Sequence, residues 1–449
     1  MRIASPIKRY CLLGLILKLF FASSVQSDEL RKKSTMQPSV MPSYTTFLSK
    51  ICRKLKESTV NNQTLEQAMI EKSLPEIYQI TGVCKDDLIA AKPEKPEQYI
   101  SAPSINSVPS KKEIDSYLSK YWHSIEDKFW WLKDTSSQNA KTPLRAIAEV
   151  INAALDSYQI TNNRSDLDLA IKSAESLIKI QKEIATGGFG FPAWENNQSH
   201  LGKLAKKFLR HAKSQGLLND VVRNGWIIDD LGRGDLYFDT GLAGEALIKI
   251  YLITGEPQFL QAAKLAGDWA MSKPAVVNFN YNAFSVILLS KLYRHTNEQQ
   301  YLESAVEKTI AGIYSGMILK GKHAGHWLDP HNQRIVYRQI MLRATLVLLQ
   351  VIPTGHPEYA ILHQLYSLAS KAMFSQLLKH GIANPDSTML TYCENQQGDG
   401  SKPISTWPQP LKSDLQKIAL KSLYRNKPFA GPAAVMCFLK DYSIEKGYL

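Results

Sequence analysis

The chain contains no uninterrupted apolar run of about 18 residues or more, the length a membrane-crossing helix needs, so no stable membrane span is expected after removal of an N-terminal signal. Cysteine is sparse, five in 449 residues. None sits in a Cys-x-x-Cys and none is next to a histidine, which removes the ligand spacing of a structural zinc site. No metal and no other cofactor is expected. No cluster of Lys and Arg with interleaved aromatics stands out, so nucleic acid is not an expected partner. Strand signals are scarce beyond residue 113. What remains is 44% hydrophobic and 21% charged, a globular balance with enough chain for one large domain or two modest ones.

The first residues read as export chemistry. Lys8 and Arg9 precede an apolar stretch from Cys11 to Phe21, and Val25 and Ser27 suit a cleavage site after Ser27. Residues 1–27 are therefore expected to be a signal peptide and the protein to be exported, periplasmic or secreted. Lys18 interrupts the apolar core, so an uncleaved anchor is the other reading. Cleavage removes four basic and no acidic residues, which takes the net charge from +13 to +9. Cys52, Cys84, Cys393 and Cys437 remain, an even count in an oxidising compartment. The local pairings, Cys52–Cys84 and Cys393–Cys437, are the expected disulfides. Residues 28–90 read as a small helical region, with helices near 44–57 and 64–81, and the Pro-, Ser- and Lys-rich residues 91–112 as a linker.

From 113 to 449 helical periodicity dominates. Four segments match, "SYQITNNRSDLDLA", "IYLITGEPQFLQAA", "LYRHTNEQQYLESA" and "LQVIPTGHPEYAIL", aligned on Thr161, Thr254, Thr296 and Thr354. The first gap is close to two repeats and suggests an unmatched unit. Before each turn comes a helix apolar nearly all round, such as "AFSVILLSKLY"; after it comes an amphipathic one. In "QFLQAAKLAGDWA" the apolar stripe is Phe259, Ala262, Ala263, Ala266 and Ala270. Alternation of buried and one-sided helices predicts an inner ring within an outer ring of stacked hairpins. The inner-to-outer turns are tight. The outer-to-inner connections are long at 185–236, 318–335 and 382–417, and all fall at one end.

Those long connections hold the distinctive residues: "GGFGFPAWENN", "GWIIDDLGRGDLYFDTG", "GKHAGHWLDPHNQRIVY", "TYCENQQGDG" and "STWPQP". The second packs Asp229, Asp230, Asp235 and Asp239 into seventeen residues. Long loops in a compact domain usually carry function.

On "YFDTGLAGEALIKIYLITGEPQFLQAAKLAGDWA", on "GGFGFPAW" and on the alternating hairpins, residues 113–449 resemble the (α/α) toroid, or six-hairpin, enzymes that act on carbohydrates, helical polysaccharide lyases among them. The resemblance implies an all-α toroid with a sugar groove at its loop-bearing end, and a polysaccharide or oligosaccharide substrate. It implies an exported glycoside hydrolase or polysaccharide lyase, with an acidic glycan one candidate substrate. A non-catalytic helical-repeat scaffold or glycan-binding protein is the alternative. Nothing in the sequence sets an oligomeric state.

The candidate residues divide by chemistry. Asp239 precedes an apolar helix, so capping is natural. Asp229, Asp230 and Asp235 have no helix within reach to cap and are site candidates. A dense carboxylate group beside Trp226 and Tyr237 suits general acid catalysis. Aligning the repeats places Arg145 and Arg338 at inner-helix N-termini with Tyr337, where a substrate carboxylate would be favoured. Arg338 and Tyr337 with His326 and His331 fit a lyase. Trp194, Trp226 and Trp327 are candidate platforms for sugar rings. The bland readings stand beside these: ion pairs for the arginines, loop hydrogen bonds for the histidines, and loop packing for the tryptophans.

Overall fold

The computed structural model describes residues 109–125, 129–193, 200–230, 234–276, 278–314, 317, 324–327, 334–382, 384–396, 404–424 and 431–445. The expected signal peptide, the region 28–90 with its two helices and Cys52–Cys84, and residues 91–108 of the linker lie outside them, as do Trp194 and His331.

Hairpin turns show how the sequence folds the chain back on itself. Thr161, Thr254 and Thr296 each donate a hydroxyl hydrogen bond to the carbonyl four residues earlier (Ser157, Ile250 and Leu292, 2.8–2.9 Å). Each hydroxyl also accepts the N–H two residues later, from Asn163, Glu256 and Glu298 at 3.2–3.3 Å. Between them lies a residue in the left-handed region, Asn162, Gly255 or Asn297, with φ of 56°, 73° and 56°. The Thr thus closes the last turn of one helix and holds the first residue before the next, which satisfies orphan backbone groups on both. Thr354 departs from this pattern, because its helix ends at Leu349 and the turn is longer.

Fourteen α-helices are present among the described residues. Six form an inner layer: α2 (Arg145–Thr161), α6 (Asp235–Thr254), α8 (Phe279–Thr296), α10 (Ile335–Leu349), α12 (Pro385–Gln396) and α14 (Pro432–Glu445). They alternate along the chain with α1 (Lys111–Ile125), α3 (Arg164–Ile184), α7 (Pro257–Ser272), α9 (Gln299–Gly312), α11 (Tyr359–His380) and α13 (Gln409–Tyr424). The inner helices pack in a cycle: α2 on α6, α6 on α8, α8 on α10, α10 on α12, α12 on α14, and α14 back on α2. The fold is all-α apart from a three-stranded antiparallel sheet of two-residue strands, β1 (Phe191–Pro192), β2 (Val222–Arg223) and β3 (Trp226–Ile227) in the order β1-β3-β2. The stripe Phe259, Ala262, Ala263, Ala266 and Ala270 of α7 is buried throughout, facing the inner layer as its period requires.

Two expectations about the connections are corrected. The gap between the first two repeats holds no ring hairpin, since α2 packs directly on α6. It holds β1, α4 (His200–Ser214), α5 (Leu218–Val221), β2 and β3, a small layer in which Ala205 and Leu209 pack on Ile227. The supposed loop 382–417 contains a whole inner helix, α12. "PDSTMLTYCENQ" is rich in Thr, Asn and Ser, poor helix formers in isolation. Here Asn384 accepts the Ser387 N–H at 3.0 Å, Pro385 sits at the first position, and Thr388 and Thr391 donate back to carbonyls at 2.7 Å. Packing between α10 and α14 supplies what propensity does not.

Charges fill the interior of the ring. Lys291 of α8 bonds Glu245 of α6 (2.7 Å) and Glu394 of α12 (2.8 Å). Arg343 of α10 bonds Glu394 at 2.9 Å and also Glu245. On the other side, Asp156 of α2 accepts from Lys249 of α6 (2.6 Å) and Lys440 of α14 (2.8 Å). Every inner helix therefore contributes a charged group. Burial alone would raise the Glu394 carboxyl, but Lys291 and Arg343 outweigh it and hold it at about 2. Asp156 is likewise held below its ordinary value against its burial by Lys249 and Lys440.

Candidate active site at the ring mouth

The inner helices begin at the end where the long connections arrive, and there the four clustered aspartates take four different roles. Asp230 is buried, and its Oδ2 accepts the N–H of Leu236 at 3.2 Å in the first turn of α6. It caps that helix from five residues upstream of its start, contrary to the expectation that no helix lay within its reach. The polypeptide doubles back through Gly234, at φ 86°, to bring the two together. Asp239 is inside α6 and does not cap it. Its Oδ1 accepts the N–H of Arg145 at 3.0 Å, capping the neighbouring helix α2, with Arg145 Nε at 3.7 Å. Burial raises the Asp239 carboxyl against the opposing pull of Arg145. Asp229 lies at the surface, paired with Lys273 at 3.2 Å. Asp235 is the exposed first residue of α6 and hydrogen-bonds Tyr281 of α8, whose hydroxyl is pushed up by burial and by that carboxylate.

Most other candidates sit in the walls. Trp226 is fully buried on β3 against Trp130 (6.4 Å between rings). Trp327 is buried and donates its indole N–H to the Ile313 carbonyl at 2.9 Å. Tyr237 is buried edge-on to Trp269 and donates to the Pro274 carbonyl at 2.6 Å. Arg338 is buried and donates to Gln376 of α11 at 2.8 Å, so it faces the outer layer. His326 lies in the turn 324–327, whose Gly325 packs closely on Leu368 of α11. A platform or a uronate clamp needs an accessible face, and these side chains are occupied with packing. The "GGFG" loop also packs: a Cβ on Gly188 would lie 2.6 Å from the Trp269 ring, and Phe189 N–H donates to Thr240 at 3.0 Å.

Two candidates remain at the mouth. Arg145 is partly exposed and lies over the Phe238 ring at 4.4 Å. Tyr337 is half-buried and accepts from Arg334 at 2.8 Å. With Asp235 and Tyr281 they place groups from α2, α6, α8 and α10 at one end of the ring.

At the same end, α2 and α12 bring two carboxyls together beside the start of α14. Glu149 of α2 and Asp386 of α12 flank Gly431, which opens α14. A Cβ added at Gly431 would lie 2.7 Å from Glu149 Oε1 and 3.6 Å from Asp386 Oδ2. The two oxygens are no farther apart than those two distances laid end to end. Burial raises the Asp386 carboxyl, and the Gly431 N–H that its Oδ1 accepts at 2.6 Å offsets only part of that. Glu149 is half-buried, and desolvation followed by the charge of Asp386 pushes its carboxyl to about 7. Tyr117 and Tyr121 of α1 adjoin the pair, their hydroxyls raised by burial and by these carboxylates. The result is two buried carboxyls side by side, both raised, with Glu149 carried to about 7.

No family model matches the chain, and no curated protein is similar in sequence. Among solved structures, a polysaccharide lyase aligns at TM-score 0.48 and 13% identity over 76% of this chain and 98% of its own. The Lin0763 protein from Listeria innocua aligns at TM-score 0.44 and 14% identity over 75% of this chain and 98% of its own.

Neither Glu149 nor Asp386 stands out in the sequence. Glu149 lies in "RAIAEVINAAL", a charge amid apolar positions, and Asp386 follows the Asn-Pro that starts α12. An acid placed within an inner helix is the signal they share with Glu245 and Glu394. That signal separates buried charges from surface ones, but not a matched pair from an unmatched one.

Proposed function

We propose that the protein is an exported carbohydrate-active enzyme, and that Glu149 and Asp386 perform its proton transfers at the ring mouth. The observation that carries this reading is the unmatched carboxyl pair at Gly431. A carboxylic acid that holds its proton toward neutral pH beside a second carboxyl is the arrangement that protonates a glycosidic oxygen while the second group stabilises charge or activates water. The resemblance of the sequence to toroid enzymes acting on carbohydrates supplies the substrate class. Arg145, Asp235, Tyr281 and Tyr337 are in place to hydrogen-bond sugar hydroxyls or a uronate carboxylate around the same rim. Hydrolysis is favoured over elimination, because the Arg338 that a lyase recipe would use is buried against Gln376.

The test is a panel of neutral and acidic polysaccharides incubated with the wild type, Glu149→Gln and Asp386→Asn. New reducing ends on at least one substrate, lost in both variants, support the reading. Products carrying an unsaturated uronate, with their ultraviolet absorbance, would convert it to a lyase. Binding of a glycan without turnover in the wild type would leave the non-catalytic alternative. Sequencing the N-terminus of secreted material tests the export part separately.

A further inference from the structure

The second unmatched group in the ring is chemically different. Cys393 of α12 faces Cys437 and Asp441 of α14, one helical turn apart on the same side of that helix. The two sulfurs and a carboxylate oxygen all lie within 4.8 Å of one another, and all three residues are buried. Both cysteines are thiols rather than the expected Cys393–Cys437 disulfide. Asp441 is 8% exposed; its carboxylate takes a hydrogen bond from the Cys393 thiol, and its Oδ2 meets no N–H or O–H donor. A buried carboxylate oxygen without such a donor is costly, so its retention calls for an account.

We infer that Cys393, Cys437 and Asp441 form a binding site for a thiophilic divalent cation of the zinc class, which joins α12 to α14 inside the ring. Two sulfurs and one oxygen are a donor set that zinc accepts, and bonds of about 2.0–2.3 Å put tetrahedral ligands about 3.5–3.8 Å apart. Charge supports the same cation. Two thiolates and a carboxylate carry three negative charges, a divalent ion leaves one, and the ammonium of Lys440 lies alongside. Binding releases two protons from the thiols, and a third where Asp441 is protonated; burial pushes that carboxyl to about 7. The Cys-x-x-Cys rule missed the set because its members come from two helices of different hairpins.

The test uses the full chain, reduced and freed of metal by a chelator, then titrated with Co²⁺ and with Zn²⁺. One equivalent of Co²⁺ producing a thiolate-to-metal charge-transfer band, displaced by Zn²⁺, is the expected result. Cys393→Ser and Cys437→Ser should each abolish the band. Asp441→Asn keeps both thiols and should weaken Co²⁺ binding by about 10–100-fold; circular dichroism of that variant checks that it is folded. Absence of the band at excess Co²⁺ in folded wild type would overturn the inference. So would isolation of the native chain with Cys393 and Cys437 joined in a disulfide, read as the linked peptide pair in a non-reduced digest.

Discussion

The two halves of the ring treat buried charge differently. In the interior, Glu245, Lys291, Arg343 and Glu394 close a four-membered set of ion pairs across four helices, and Asp156 is held by two lysines. At the mouth, Glu149 and Asp386 meet with no ion pair to either among the described residues, and the Glu149 carboxyl is driven up to about 7 while Glu394 is driven down to about 2. The backbone is the same in both halves, helices of one ring packed on their neighbours. Partner charge makes the difference. Matched groups hold the ring in one register, whereas an unmatched pair costs stability and is kept at a place where proton transfer can use it.

Breaking the interior set should have the largest effect on folding. Arg343→Ala leaves Glu245 and Glu394 sharing only Lys291, and should lower the stability by about 3–5 kcal/mol in urea unfolding. The same set predicts acid sensitivity. Glu394 has a folded value below its ordinary one, so its contribution is complete above about 4.5 and is lost as pH falls through that range toward 2. An unfolding free energy that is flat over that range would contradict the matched arrangement.

At the mouth the opposite sign is expected. Glu149→Gln should reduce turnover by about 10²–10⁴-fold if Glu149 is the proton donor, with little loss of glycan affinity. Because the folded Glu149 binds its proton more tightly than the unfolded chain does, wild-type stability should fall as pH rises from about 4.5 to 7. The variant should lack that decline. Activity should also decline on the alkaline side with a midpoint near 7, measurable as kcat against pH. A variant less stable than wild type at pH 8 would mean that Glu149 is a structural group, and the contrast between the two halves would vanish.

Smaller effects grade the aspartates. Asp239→Ala removes the acceptor for the Arg145 N–H and should cost about 0.5–2 kcal/mol, with Asp230→Ala in the same range for the start of α6. Asp229→Ala removes a surface pair with Lys273 and should stay within about 0.5 kcal/mol. Equal costs for all three in thermal unfolding would refute their division into caps and surface charge.

The turns at Thr161, Thr254 and Thr296, the stripe of α7 and the alternation of buried and one-sided helices were legible in the sequence. Each depends on residues within about a dozen positions, where helical period and capping chemistry decide the outcome. The same local rules misread "PDSTMLTYCENQ" as loop, because α12 is made helical by its neighbours in the ring. They also assigned the cap of α6 to Asp239 and none to Asp230, since proximity along the chain does not say which helix end each oxygen reaches. Glu149 and Asp386 are separated by more than half the chain, and Cys393 and Cys437 lie on different hairpins. Their meeting depends on α14 packing on both α12 and α2, the step that closes the cycle. Sequence determined which helices would form and how they would turn. Only closure of the ring decided which charges would find partners and which would be left facing each other, because electrostatic pairing depends on distance through space and burial rather than on spacing along the chain.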